Sequence, residues 1–495
     1  MLAGIGLLAS TNKTTMGRMV LAAAATWLLL TSALQVSPLA SGAFIPRPPP
    51  RIGSLFLKPA RAQKIGQSIK GFLKKHGDDI LDIIAQSLSP SPVDSTGSGG
   101  HTSTSAGGAP ATTAGLYVAD LLVGTPPKNI SGVLEITSEL VWMQCSSCTD
   151  YCLPPPASSF DPTNSSTAQP LPCNNNTCQA LLPQTCSTTD TNTEQLCGYA
   201  EYYGGSNNDT TQGYFVFDTF TFDTTAVDDM LFGCSDSSTG NYSGASGVIG
   251  LGRGELSLVS QLGISNFSYF LAPNGSTGSG GESGNRFQLG GVPVPAKGLS
   301  TPLYNSSAYP NLYYVGLTGV YVDDEEVAGI PAGTFDLQSN GSGGVFLSTT
   351  MSVTYLLSDA YTLVREAFAR KISAQPYSID PLCYVNDSVT VIPELTLAFN
   401  GVDGGGDVKM KLSEANYFFE YNDGESEVQC LTVLPSVGAS VLGSLLQTGT
   451  QMIYDLDREQ LTFVVTEDTS LASAAPAASQ AMAVALAVWV VRLLI

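Results

Sequence analysis

The sequence predicts an all-β, or mainly β, chain built as two similar lobes, and three observations carry that expectation. Two distant segments match in pattern: Val133-Leu134-Glu135-Ile136-Thr137-Ser138 and Val345-Phe346-Leu347-Ser348-Thr349-Thr350 each run as an apolar strand into a tight polar loop. From residue 116 onward, β-branched and aromatic runs such as Tyr214-Phe215-Val216-Phe217 and Leu312-Tyr313-Tyr314-Val315 alternate with turn clusters, in a chain with 51 glycines. Helical patterns are few: one spans 257–262, and one spans 358–370, where Ser358 is placed to cap and Glu366 to pair with Arg370. A length of 495 residues is ample for two cores.

In chain order, residues 1–43 carry Lys13 and Arg18, an apolar run over 19–30 and then small residues, the order of a secretory signal, with Met16 as an alternative start. Residues 44–88 hold eight of the 21 Lys and Arg, and 64–84 has helical apolar spacing. This reads as a propeptide-like segment that docks by charge, with a membrane-surface helix or a solvated arm as open alternatives. Residues 89–115, rich in Ser, Thr, Gly and Pro, read as a linker. The N-terminal β lobe with a Cys-rich insertion is expected over 116–300 and the C-terminal β lobe over 301–468. The tail 469–495 ends in an apolar run from 481 that is broken by Arg492 and falls short of the ~20 residues of a spanning helix. It is similar to a glycosylphosphatidylinositol (GPI) signal, with Ser470 or Ser473 near the anchor site. The expected location is the secretory pathway and the cell surface, with membrane contact through that lipid.

Net charge is −21, and 116–468 holds only ten Lys and Arg, so phosphate is repelled and a nucleic-acid partner is excluded. The ten cysteines, Cys145, Cys148, Cys152, Cys173, Cys178, Cys186, Cys197, Cys234, Cys383 and Cys430, read as disulfides of an exported chain. A zinc site at Cys145 and Cys148 is the rival, opposed by eight cysteines crowding one lobe with no histidine near them. The only histidines, His76 and His101, precede the lobes, which removes Ser-His-Asp, Cys-His and histidine-metal chemistry. No phosphate-cradling Gly-x-x-x-x-Gly-Lys occurs, and neither cofactor nor metal is expected. Asn129, Asn164, Asn175, Asn208, Asn241, Asn266, Asn274, Asn305, Asn340 and Asn386 each open a glycosylation triplet.

Further motifs fall in a specific order. A Gly-Thr-Pro-Pro turn at 124–127 follows the strand opening at Tyr117; Leu140-Val141-Trp142-Met143-Gln144-Cys145 follows the first loop; Gly-Val-Ile-Gly at 247–250 and Ser-Val-Leu-Gly at 440–443 recur behind the two loops. Across residues 116–466 the chain resembles pepsin-type aspartic peptidases, in particular the plant nepenthesin-like branch. The resemblance implies a bilobal pepsin-like fold of two six-stranded-type lobes with a central cleft, and a flap carrying Tyr203 with Trp142 as its hydrogen-bond partner. It also implies a Cys383–Cys430 bridge, while the N-lobe pairing stays open. A further disulfide usual in the branch is missing as a unit, with Phe270 in the first cysteine's place.

By the same resemblance, Glu135 and Ser348 stand at the catalytic aspartate positions. Such enzymes need two carboxylates about 3 Å apart sharing one proton. Glu135 adds a methylene and Ser348 has no carboxylate, so the expected function is binding of a peptide or protein in the interlobe cleft, as a monomer, with proteolysis lost or severely impaired. The alternatives are an acid-acting endopeptidase relying on Glu135, and a protein like the plant xylanase inhibitors. Ile136 lacks the hydroxyl expected after the first aspartate, whereas Thr349 keeps it. Thr137 and Thr350 replace glycines and look poorly suited to a tight turn.

Overall fold

The computed structural model describes residues 116–465 except 150, 156, 182–184, 188–194, 205–208, 274–284 and 423–425, together with 54–56 and 58–59. The expected signal, amphipathic helix, linker and tail, and the triplets at Asn208 and Asn274, lie outside the described residues.

The first half is built on the hairpin Tyr117–Val123 and Lys128–Glu135, in register from Val118 opposite Val133 to Val123 opposite Lys128. Gly124 turns it at φ +90°, a conformation favouring glycine. Three long strands, Leu196–Gly204, Asp209–Phe222 and Thr225–Ser238, extend this into a ten-stranded sheet. Strand Gly247–Gly250 lies parallel to Lys128–Glu135, with Gly250 opposite Glu135. A β-carbon at Gly250 would sit 2.5 Å from the Glu139 carbonyl, so only glycine lets this strand pass behind the first loop.

The second half repeats the device. Val345–Leu347 lies parallel to Ser440–Leu442, with Leu347 opposite Leu442, and a β-carbon at Gly443 would come within 2.2 Å of the Val353 carbonyl oxygen. The matched segments thus fold as a duplicated motif: strand, polar loop, and a parallel strand ending in a glycine wedged behind it.

The halves meet in an eleven-stranded sheet, in which Asn266–Phe270 of the first pairs with Thr450–Asp455 of the second. The sheet is shared between halves, in place of two separate six-stranded units, because these strands saturate one another's backbone groups. Phe267 stacks on Tyr454 at 4.6 Å, and Tyr313 meets Tyr454 edge-on at 4.8 Å, welding a core that runs through both halves. The boundary expected at 300/301 falls inside strand Leu299–Tyr304. At the far edge of this sheet Ser54–Phe56 pairs with Arg286–Leu289, and Lys58–Pro59 pairs with Tyr117–Val123 in the other.

Two four-stranded sheets complete the second half. The helix Ser358–Lys371 buries Ala360, Tyr361, Val364, Ala367 and Phe368, a stripe of helical period, and pairs Glu366 with Arg370 at 3.6 Å. Ser358 does not cap it: its hydroxyl donates to the Ser436 carbonyl, and the cap position is Leu357.

All ten cysteines are paired. Cys145–Cys234, Cys148–Cys152, Cys173–Cys186 and Cys178–Cys197 brace the first half, and Cys383–Cys430 joins facing strands of the second. With both sulfurs of Cys145 and Cys148 oxidised, no thiolate pair remains there for zinc.

Candidate active site

Glu135 ends its strand and Ser348 directly follows its own, so the backbone delivers both to the seam between the halves. The two loops are pinned alike: Leu251 N–H donates to Glu135 O at 2.8 Å and Gly252 N–H to Ser138 O, while Ser348 N–H donates to Leu442 O at 3.1 Å and Ser444 N–H to Met351 O. Thr349 crosses the seam, donating its hydroxyl to Leu134 O at 2.7 Å and accepting from Ile136 N–H at 3.3 Å. Ile136 returns no side-chain bond, so this cross-lobe tie is made from one side only.

The Glu135 carboxyl is 5% exposed and enclosed by donors. Its Oε1 accepts Thr137 N–H at 3.0 Å and the Thr137 hydroxyl at 2.5 Å, and its Oε2 accepts the Thr350 hydroxyl from the opposite loop. Burial pushes its pKa up, and the threonine bonds oppose that push without cancelling it. Ser348 is 1% exposed, and its Oγ accepts Met351 N–H at 3.1 Å and Thr350 N–H at 3.3 Å. Thr350 therefore sits between the two side chains, bonded to both.

The threonines are not misfits. Neither Thr137 nor Thr350 adopts the positive φ that would favour glycine, so their β-branching is tolerated and their hydroxyls are what hold Glu135. Sequence reasoning missed this role; the available signal was that both expected glycines had become the same hydroxyl residue at matched positions.

Below the second loop, fully buried Gln447 donates to Ser348 O at 2.9 Å and Leu442 O at 3.0 Å, and accepts from Tyr269, whose hydroxyl also meets that of Tyr454. On the first half, Trp142 Nε1 donates to Tyr203 Oη at 2.8 Å, and Tyr242 packs edge-on against Trp142. Glu201, two residues before Tyr203, is pushed up to about 7 by burial and by the Glu139 charge. Asp209, which opens the next strand, is pushed up to about 6 by burial.

Of the candidate glycosylation sites, Asn129, Asn164, Asn175, Asn241, Asn305 and Asn340 are exposed. Asn266 is half-buried and clamps Val292, donating to its carbonyl and accepting from its N–H, while Ser268 of the same triplet is buried. Asn386 is half-buried.

Comparison with known proteins agrees with this architecture. Residues 117–282 match the family described as Xylanase inhibitor N-terminal, and residues 312–464 the one described as Xylanase inhibitor C-terminal. Aspartic proteinase nepenthesin-2 of Nepenthes gracilis is 36% identical over 365 residues, covering 71% of this chain and 78% of that protein. The chain belongs to the pepsin-like plant aspartic peptidase family. Nepenthesin-1 of the same plant is 32% identical, covering 70% and 77%, and Aspartyl protease family protein 2 of Arabidopsis thaliana 31%, covering 70% of each. Among solved structures, soybean basic 7S globulin superposes with a TM-score of 0.56 at 19% identity, covering 71% of this chain and 93% of that one. A structure described as edgp gives 0.53 at 20%, covering 72% and 92%. These two establish the shared bilobal fold of the peptidase family. Among the described residues no helix is long and apolar enough to cross a membrane.

Proposed function

We propose that this protein is an exported member of the aspartic peptidase family that no longer cuts peptide bonds and acts by holding a peptide or protein between its lobes. The observation that carries this reading is that the buried Glu135 carboxyl is paired with the hydroxyls of Thr137 and Thr350, while the matched position of the second loop holds the hydroxyl of Ser348 in place of a carboxyl. Three donors occupy three of the roughly four acceptor positions of this carboxyl, and the hydroxyl of Ser348 cannot share a proton with it as a second carboxyl would. Displacing the oxygens by about 1 Å alone would cost on the order of 10²-fold in rate. Five disulfides suit an oxidising compartment, which supports export; attachment through the C-terminal tail is part of the same proposal. Both matched family descriptions name xylanase inhibitors, which supports a glycosidase as one class of bound protein.

The relatives' proteinase names favour a second reading, an acid-acting endopeptidase in which Glu135 works alone. Incubation with an unfolded protein at about pH 4, with and without pepstatin, separates the two. The expected result is no cleavage. Pepstatin-sensitive cleavage that disappears in Glu135→Ala overturns the binding reading. Joint replacement Glu135→Asp, Thr137→Gly, Ser348→Asp and Thr350→Gly is expected to create cleavage on the retained scaffold.

A further inference from the structure

We propose that the second half carries a separate binding site for an uncharged sugar ring, beneath the segment 326–337. A cavity of about 690 Å³ lies there, within the size range of small-molecule sites. Its floor is apolar and buried: Val315, Leu317, Val327 and Phe335. Its rim carries Tyr304, 38% exposed, with Asn400 and Glu326.

The rim is arranged as a platform flanked by acceptors. Asn400 Nδ2 donates to Tyr304 Oη at 3.1 Å, leaving its Oδ1 with no donor among the described residues. Gly316 lies directly behind both: a β-carbon there would meet Asn400 Nδ2 at 2.3 Å and Tyr304 Cε2 at 3.1 Å. The missing β-carbon leaves the space in which the ring and the amide rest against the backbone. Glu326, exposed and with no ion-pair partner among the described residues, adds a second acceptor that a ligand hydroxyl can reach.

Charge and hydrogen bonding then select the ligand. Among the described residues no Lys, Arg or His lines the cavity, whereas Glu326 and Asp336 do, so carboxylate and phosphate ligands are repelled. A purely apolar ligand would strip water from Asn400 and Glu326 and return nothing, a loss that such sites translate into strong rejection. A sugar meets both demands: its C–H face stacks on the tyrosine, and its hydroxyls donate to the two acceptors.

Entry has a structural route. Within 328–335 the backbone bonds are local, such as Thr334 N–H to Pro331 O, and glycines at Gly329 (φ +92°) and Gly333 (φ +80°) turn the strap. A second cavity of about 600 Å³ borders the same strap at Pro331, Ala332, Gly333 and Thr334, leaving it space into which to move. The site shares no residue with the Glu135 and Ser348 loops, so it stands or falls independently of proteolysis.

The test is saturation-transfer NMR and calorimetry on the full chain with three probes: cellotetraose, trigalacturonate and hexanol. Each is repeated on Asn305→Gln, so that a sugar carried on the chain's own neighbouring triplet is distinguished from a free one. Cellotetraose is expected to bind, to the wild type or, if the chain's own sugar fills the site, to Asn305→Gln only. Tyr304→Ala and Asn400→Ala are expected to weaken it about tenfold or more, with circular dichroism unchanged because Tyr304 is exposed and Asn400 only half-buried at the rim. Absence of cellotetraose binding in both backgrounds overturns the proposal, as does binding that survives both rim substitutions, or equal binding of trigalacturonate or hexanol.

Discussion

Thr350 of the second loop donates its hydroxyl to Glu135 of the first, across 215 residues of sequence. One side chain thereby ties the two halves directly at the Glu135 carboxyl. Thr350→Val, which keeps the shape and removes the donor, is expected to leave a buried carboxyl oxygen unpaired and to lower stability by about 1–3 kcal/mol. Chemical denaturation of the variant measures this; an unchanged midpoint would mean the bond contributes nothing.

The chain is expected to be more stable in mild acid than above neutrality. Burial raises the pKa of Glu135 and Asp236 and carries Asp209 to about 6 and Glu201 to about 7. Each of these groups keeps its proton in the folded chain at a pH where the unfolded chain has released it. Their stabilisation is complete below the ordinary carboxylate range and is lost as pH rises through those folded values, a decline on the order of a few kcal/mol. Asp161, held low by Thr163, works in the opposite direction from an exposed loop. Melting temperatures between about pH 4.5 and pH 7.5 check the slope, and Glu201→Gln is expected to flatten it.

Gln447→Leu is expected to cost about 3 kcal/mol or more, because it strips donors from the buried carbonyls of Ser348 and Leu442 and the acceptor from Tyr269. The loss is read in the denaturation midpoint. Thr349→Val, which removes the two cross-lobe bonds to Leu134 O and from Ile136 N–H, is expected to cost about 1–3 kcal/mol.

Removing the Cys383–Cys430 bridge by a double replacement with serine is expected to cost about 2–4 kcal/mol, since it closes a loop of 47 residues. Peptide mapping without reductant is expected to recover the four other bridges unchanged in that variant.

Much of this architecture was legible in the residues, because each matched strand and its trailing loop is a local pattern. Glu366 and Arg370 meet for the same reason, being four apart on one helix. What escaped depends on distant partners. Thr137 and Thr350 look like damage to a glycine turn until the opposite lobe brings Glu135 between them. Ser358 looks like a cap until the strand ending at Ser436 offers it a carbonyl. The pairing of eight cysteines in one half admits on the order of a hundred arrangements, and only the folded hairpins decide among them.

The short strands at Ser54–Phe56 and Lys58–Pro59 border both large sheets, while the chain resumes its described course only at Leu116. If a protease cuts between them, these five paired residues are the described contacts that would keep the two polypeptides together. Such a molecule would migrate as a single particle on gel filtration and as two bands after denaturation, so a shortened band on a gel would report a processing cut and not the departure of the basic segment.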